Sequence, residues 1–550
     1  MHPEHLTPID SLAAPSDDGG ILIWPAQPSL VNLAERNRAR RTRRRLELAG
    51  RLATEWMAAG NSPPVDSGPL VFMTGHQPEF FHAGVWAKTA AMSALALASA
   101  GRGVFLIVDS DVPNRLAIDW PDDSSAICRI GSVVSRGAGG GLSYEHLGAR
   151  ATEQIALSMR GIPDEIRPGA STAISIFRDA FGAMEKSVTP SSHRSPYVSS
   201  WIRGVQAVDA AVGLSRAVCI CISDVFEFGS EAVAADAEKN LLAGLRTVAA
   251  AFVVHLASNA PRLANAYNES LRRYRERQGI RGRQHPIPDL YVDSGLVELP
   301  FWWVSRDRPR SRLFAATDSS GAIRLMVDGA QIGSMDRSVA DGLGRAESLA
   351  ASLPSGLRPR ALAQTMFARL FACDLFIHGI GGAKYDSITD GIIRTFFGVE
   401  PPEYACVTAT LRLPTRTHGV TPLDLATARR QSRDLRYNPQ RYLDEQSITE
   451  PVRQLLVRRA EAIDRSNLLH SGKSEDRQQR QAAYRAIRQA NAQVIATVPE
   501  FTMRVSSRLS ALEAQFASDR LAQSREWFFA LHTVDALREL ADGLSRRLGV

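Results

Sequence analysis

Cysteine is scarce, with five in 550 residues at Cys128, Cys219, Cys221, Cys373 and Cys406, four of them inside apolar runs. So few and so scattered, they exclude a disulfide framework and read as reduced, mostly buried thiols. Cys219 and Cys221 stand too close for the usual two-residue-spaced metal or redox pair and read as two residues of one buried strand. No basic-then-apolar leader pattern opens the sequence. The longest apolar stretch, Thr247 to Ala257, falls well short of the ~20 residues a membrane span needs, so the expected location is cytoplasmic with no membrane partner. Charge of one sign is also lacking: the net charge is +7, modest for this length. Without interleaved aromatics or a finger motif, nucleic acid is not an expected partner. Three catalytic signatures are missing as well. There is no Gly-x-Ser-x-Gly elbow and no His-Glu-x-x-His helix, and Gly472-Lys473-Ser474 has Asn467 where a P-loop requires glycine.

With 44% apolar residues the chain can bury at least one large core. Residues 1–65 form a helical segment with seven arginines between Arg36 and Arg45, a charge run that reads either as a solvated helix face or as a surface for phosphates or an acidic partner. Residues 66–288 read as the first part of an α/β core. Pro69 to Met73 is an apolar strand, a helix runs from about Gly84 to Ala100, and Gly103 to Asp109 is a second strand. Continuous apolar strands around a helix imply a parallel sheet buried on both faces. Ala217 to Ile222 repeats the theme and leads to Ser223-Asp224. Residues 289–335, with Phe301-Trp-Trp-Val304 and Arg312 to Ala315, read as a small antiparallel β-rich insertion. Residues 336–415 return to α/β order through strands at Leu375–Ile377 and Tyr404–Leu411.

From residue 416 to 550 the composition turns helical. Thr421-Pro422 with Asp424 is a helix start: capping hydroxyl, proline at the first position and an acid in the first turn. Tyr484, Ile487, Asn491, Val494 and Val498, then Val505, Leu509, Leu512 and Phe516, recur at alternating spacings of three and four. This pattern predicts an antiparallel, coiled-coil hairpin over about Ser474 to Leu521, with Asn491 as a register-fixing polar residue. Ordinary amphipathic helices are the alternative. A partner hairpin covering the stripe predicts a homodimer. Trp527-Phe528-Phe529 and Leu531 are docking points for a return to the core. The expected fold is therefore α/β, a Rossmann-like parallel-sheet core with a β-rich insertion and a C-terminal helical hairpin.

Three segments follow apolar strands directly and are candidates for chemistry, because ligands in such sheets sit beyond the carboxyl ends of the strands. The first runs from Thr74 through Gly75, His76, Gln77 and His82 to Lys88. A strand end, a glycine and a helix start make an anion cradle, and the two imidazoles could donate or accept a proton. A plain turn with solvent-facing histidines is the bland alternative. The second is Asp109-Ser110-Asp111 with Asn114, where carboxylates could hold an ammonium, a hydroxyl or a divalent ion, although acid pairs are common in ordinary loops. The third is His378-Gly379-Ile380-Gly381-Gly382-Ala383-Lys384-Tyr385-Asp386. It is not the dinucleotide fingerprint, because Lys384 occupies the last glycine's place, and a structural glycine turn is its bland reading.

In this order the three segments resemble the bacillithiol-biosynthesis cysteine-adding enzymes, ligases that join cysteine to glucosaminyl malate. The resemblance begins at Thr74-Gly75-His76-Gln77, where the family has Thr-Gly-Gln-Gln followed by an aromatic, a glycine and a lysine-bearing helix, here Phe81, Gly84 and Lys88. It continues through Val104 to Asp111 and Gly379 to Tyr385, and ends near Leu413-Pro414. It covers most of the chain in layout but few residues in identity. His76 replaces a glutamine, and the histidine expected between Asp109 and Asp111 is missing, so the fold carries over better than the substrate. The resemblance implies a ligase acting on a small molecule in low-molecular-weight thiol synthesis, with a Rossmann-like core and a coiled-coil domain. His76, His82, Asp109 and Asp111 are then the catalytic candidates. Thr74, Gly75, Gln77, Lys88, Asn114, His378, Gly379, Gly381, Gly382, Lys384, Tyr385 and Asp386 are the substrate-binding ones. No metal is required, and a nucleotide is the candidate cofactor.

Gly75 through His82-Ala83-Gly84 also resembles the entry to a nucleotidylyltransferase, whose His-x-Gly-His motif stabilises a transferring phosphate. Here Val85 stands at the second histidine, removing half of that charge stabilisation. A third class, a non-catalytic scaffold on a ligase-like core, fits the helical hairpin and the arginine run.

Overall fold

The computed structural model of the protein describes residues 8–26, 28–59, 68–113, 116–121, 127–131, 141–165, 169–183, 194–228, 237–280, 287–305, 308–336, 346–415, 417–471 and 477–550. Asn114, the Gly472–Ser474 triplet and the side chain of Cys128 lie outside the described residues. The chain divides into two compact units. One comprises 1–120, 127–413 and 525–550, the other 121–126 and 414–524.

Twelve strands build the two larger sheets of the first unit: β1 (Ile21–Trp24), β2 (Val71–His76), β3 (Arg102–Ile107), β4 (Val218–Cys221), β5 (Val292–Asp293), β6 (Leu296–Ser305), β7 (Arg308–Thr317), β8 (Ile323–Val327), β9 (Ala330–Met335), β10 (Leu357–Pro359), β11 (Leu375–His378) and β12 (Ala405–Ala409). The first sheet has the order β1-β12-β11-β2-β3-β4. Strands β12 through β4 are parallel, and β1 closes the edge antiparallel to β12. From β2 the chain steps outward to β3 and β4, then returns to the other side of β2 for β11 and β12. The order therefore reverses between β2 and β11, where adjacent connections leave in opposite directions, the kind of switch point beside which ligands bind in such sheets.

Helix Ala83–Ala98 follows β2. Its alanine-rich sequence lets it lie close on the sheet with Trp86, Ala87, Ala90, Met92 and Leu95 buried, and the His82 side chain caps it by accepting from the Gly84 N–H. The helix Ala237–Ser258 is the apolar run noted above, longer than that run suggested. Its window Leu241–Ser258 is apolar and long enough to cross a membrane by composition, and 67% of that window is buried inside the protein. Phe252 on it contacts the rings of Phe301, Phe367 and Phe371. This packing accounts for the hydropathy as that of a core helix. The second sheet, β9-β8-β7-β6-β10 with β5 on β6, is antiparallel as expected, and it recruits β10 from beyond residue 335. Cys219, Cys221, Cys373 and Cys406 are free thiols.

The C-terminal return is built as predicted. The Phe529 N–H donates to the Phe81 carbonyl, its ring stacks on Phe81 and Trp86, and helix Val534–Leu548 follows. The arginine run is not simply a solvated face. Arg38 and Arg41 on helix Leu30–Arg43 close on the buried Asp374 carboxylate at 2.6 and 2.5 Å, while Arg36 and Arg40 share Glu403.

The second unit contains helices Pro422–Tyr437, Glu450–Ser471, Arg477–Thr497 and Pro499–Ala522. The capping box at Thr421 and Asp424 is present. The expected hairpin is not. Arg477–Thr497 pairs with Glu450–Ser471, and Pro499–Ala522 pairs with Pro422–Tyr437. Val498 is the single non-helical residue between the third and fourth helices, and one residue cannot reverse a chain that needs two to five. Pro499 therefore only bends the path. Asn491 is buried as foreseen. Its Oδ1 accepts from Arg459 Nε at 2.6 Å, and its Nδ2 donates to the carbonyl of Tyr437, so it locks three helices rather than two.

Candidate functional site

The three sequence segments follow β2, β3 and β11, neighbouring strands of the parallel sheet, and so emerge at one carboxyl edge. Ser223 and Asp224, just after β4, extend the same edge. Not every expected residue serves it. Thr74 is buried and its hydroxyl donates to the Ile377 carbonyl, tying β2 to β11 at the reversal point. Gly75 presses against the Leu106 carbonyl, where a Cβ would sit at 2.7 Å, so no larger residue fits.

Lys88 reaches back from the helix to this point. Its ammonium donates to the Gly75 carbonyl at 2.9 Å, and the side chain passes Gly379. Burial pulls its pKa down from the usual lysine value to about 8. His76 donates its Nδ1–H to the Gln77 carbonyl and meets the Phe81 ring edge-on. Burial, with Lys88 nearby, drops His76 to about 3; burial, with Arg525 and Lys88, drops His82 to about 4. Both imidazoles are therefore neutral at physiological pH. Neither can supply the proton of a general acid, and each is a feeble base. Further, His82 Nδ1 is occupied by the Gly84 N–H, and its Nε2 lies 3.6 Å from Glu526.

Asp109 is the stronger acid/base candidate. It is buried, accepting from the Ser223 amide at 3.0 Å and from the Ser223 hydroxyl in a very short bond. Burial pushes the carboxyl up to about 7, helped by the Glu145 and Asp224 carboxylates and opposed by the Ser223 bonds. Asp111 differs. It accepts from Gln77 Nε2 at 2.9 Å and pairs with Arg310 at 2.7 Å, which marks it as an anchor between the β2 and β3 loops. Around them, Tyr144 donates to Glu79, Arg358 binds Glu145 and Glu227, and Arg194 binds Asp224.

The third segment divides. Gly379 is the N-cap of helix Ile380–Ile392, and Gly381 and Gly382 lie exposed in its first turn. A Cβ at Gly382 would meet His378 Nδ1 at 2.8 Å, which is why glycine stands there. His378, by contrast, is buried and bonded through Nε2 to Asp386 at 2.9 Å, and Asp386 is held by Arg369 at 2.7 Å. This is an internal charge cluster, not a ligand contact. Tyr385 packs against Tyr274. Lys384 stays half-exposed. The expected single lining from His378 to Asp386 is thus reduced to Gly379, Gly381, Gly382 and Lys384.

Sequence reasoning missed Glu145, Asp224, Arg194, Arg310 and Arg358. Asp224 had a signal, since it too follows an apolar strand. The others arrive from distant segments and carry no local mark. Among the described residues, no three His, Cys, Asp or Glu side chains are grouped to hold a metal ion. No known protein family, curated protein or solved structure matches the chain.

Proposed function

We propose that the protein is an enzyme with a Rossmann-like core whose carboxyl edge, at the reversal between β2 and β11, joins an amine to an activated carbon of a small anionic substrate. The observation that carries this reading is that Lys88, whose ammonium reaches the Gly75 carbonyl near the end of β2, and Asp109, just after the neighbouring β3, have pKa values near 8 and 7. Titratable groups whose environments bring them close to neutrality are what acid/base chemistry requires. The strand order supports the Rossmann-like assignment: from β2 it runs β3, β4 on one side and β11, β12 on the other, as in the dinucleotide-binding arrangement.

In this reading the amine's lone pair attacks the activated carbon. The carbon–nitrogen bond forms, the activating group leaves with its bonding pair, and Asp109 takes the proton that nitrogen sheds. Lys88 and the first-turn amides at Gly381 and Gly382 favour the negative charge that develops. His76, Gln77 and Asp111 position the loops. The resemblance in the sequence makes a cysteine-like amine and an amino-sugar conjugate the first substrates to try, and a nucleotide the activating agent. A nucleotidylyltransferase role is less favoured, because Val85 stands where that motif's second histidine would and His82 Nδ1 is taken up in capping the helix.

The test is incubation with ATP, cysteine and glucosaminyl malate, following coupled product by mass spectrometry. Asp109→Asn and Lys88→Met are each expected to cut product formation at least ~10²-fold. Pyrophosphate release with a nucleotidyl adduct and no coupled product would replace this reading with the second. Undiminished product formation by both variants would overturn the roles. We further propose that the helical unit pairs with a second copy, since Leu468, Tyr484 and Met503 on it are 72%, 52% and 58% exposed.

A further inference from the structure

A cavity of about 940 Å³ lies elsewhere in the first unit, at the amino ends of the parallel strands. Its walls include Glu403 and Tyr404, which lead into β12, and Trp24, which pairs with Cys406 near that strand's start. It is thus separate from the carboxyl edge described above. Its size is that of a small-molecule site. Its lining combines an apolar set, Trp24, Tyr404 and several prolines, with guanidinium groups from the end of the arginine run and from Arg394.

The wall's carboxylates are already taken. Glu403 holds Arg36 and Arg40 at 2.9 and 3.1 Å, Glu400 holds Arg394 at 3.3 Å, and Asp390 holds Arg369 at 2.7 Å. Among the described residues no carboxylate pairs with Arg43 or Arg44, and the buried Arg44 Nη2 has no acceptor among them. Burial lowers the Arg44 pKa, and the Arg40, Arg41 and Arg369 charges push the same way against Glu400. A desolvated guanidinium among like charges is costly unless an anion completes it. Uncompensated positive charge that shares a cavity with aromatic side chains is a recognition surface rather than a fold-stabilising one.

We propose that this cavity is a second binding site, one that takes an organic dianion carrying a flat ring, with a phosphomonoester or dicarboxylate on Arg43 and Arg44 and the ring against Trp24 and Tyr404. Both halves of the ligand are needed, because the charged wall and the aromatic wall each offer only part of the surface.

Isothermal titration of the full chain at low salt with AMP, adenosine and inorganic phosphate as probes tests this. AMP is expected to bind, with adenosine and phosphate each at least tenfold weaker. Arg43→Ala/Arg44→Ala is expected to weaken AMP at least tenfold, whereas Lys88→Met, which bears on any nucleotide held at the carboxyl edge, leaves this arginine-dependent binding unchanged and so separates the two sites. Arg44→Met alone is expected to raise the melting temperature of the ligand-free protein, which reports on the unpaired charge without any ligand. AMP affinity that is equal in the double variant, lost in Lys88→Met, or undetectable at millimolar concentration would overturn the proposal. So would a lowered melting temperature for Arg44→Met.

Discussion

Asp109 and Asp209 make a matched pair on which the functional reading can be tried. Both are buried, and burial lifts both to about 7 from an ordinary aspartate value of 3.8. Asp109 stands at the carboxyl edge with Glu145 and Asp224 adding to the rise. Asp209 lies on helix Pro196–Val212, where its carboxylate accepts from Trp86 Nε1 at 2.8 Å. A carboxyl whose native pKa is raised binds its proton more tightly folded than unfolded. Its ionisation therefore costs nothing below about pH 3.8, the cost grows as pH rises, and it is fully present above about pH 7. At ~1.4 kcal/mol per pH unit, a rise of this size sets a ceiling on the order of 4 kcal/mol for each ionised carboxylate. Asparagine removes the charge and keeps an acceptor, so Asp109→Asn and Asp209→Asn should each be more stable than the parent at pH 8, with the advantage shrinking towards pH 5. Urea midpoints of the full chain across pH 5–9 read this directly. Equal offsets at pH 5 and pH 8 would refute the electrostatic account. The functional distinction comes next: the Asp109 variant should gain stability while losing activity, a trade expected of a strained site, and the Asp209 variant should gain stability alone. If both keep activity, Asp109 is only another buried acid.

Phe529→Ala removes a ring stacked on Phe81 and Trp86 and should cost about 3–5 kcal/mol, releasing residues 525–550 to limited proteolysis before the rest of the unit. Asn491→Ala leaves the buried Arg459 Nε without its acceptor and should lower stability by about 1–3 kcal/mol, seen as an earlier helical melting transition by circular dichroism. Sedimentation equilibrium of the intact protein at micromolar concentration should give a dimer, and Tyr484→Glu/Met503→Glu a folded monomer; a monomeric parent would refute pairing through the helical unit.

Local order was legible from the sequence because it depends on neighbours. Alternation of apolar runs with helical periods located β2, β3, β4, β11 and β12, short β-rich runs marked the antiparallel sheet, and Thr421-Pro422 with Asp424 marked a helix start. Cys219, Cys221 and Cys406, set in apolar strands, form no disulfide, as their scatter implied. The sequence also set the three candidate segments on one edge of the sheet, since loops after buried parallel strands share one edge whichever order the strands take.

What tertiary structure alone decided are the pairings between distant segments. The reversal between β2 and β11 joins residues some 300 positions apart, and only there do Lys88 and Gly379 meet. The helix periodicity around Tyr484 to Phe516 showed apolar faces but not their partners. A single residue at Val498 sent each helix to an upstream neighbour instead. The same holds for charge: seven arginines within ten positions look alike in the sequence, yet Asp374 and Glu403 pair with four of them, and among the described residues no carboxylate pairs with Arg43 or Arg44. A histidine such as His378 announces chemistry in one dimension and proves to be bonded to Asp386 in three. Burial and partnership, which set a side chain's pKa and its availability, are properties of the packed chain and cannot be assigned residue by residue beforehand.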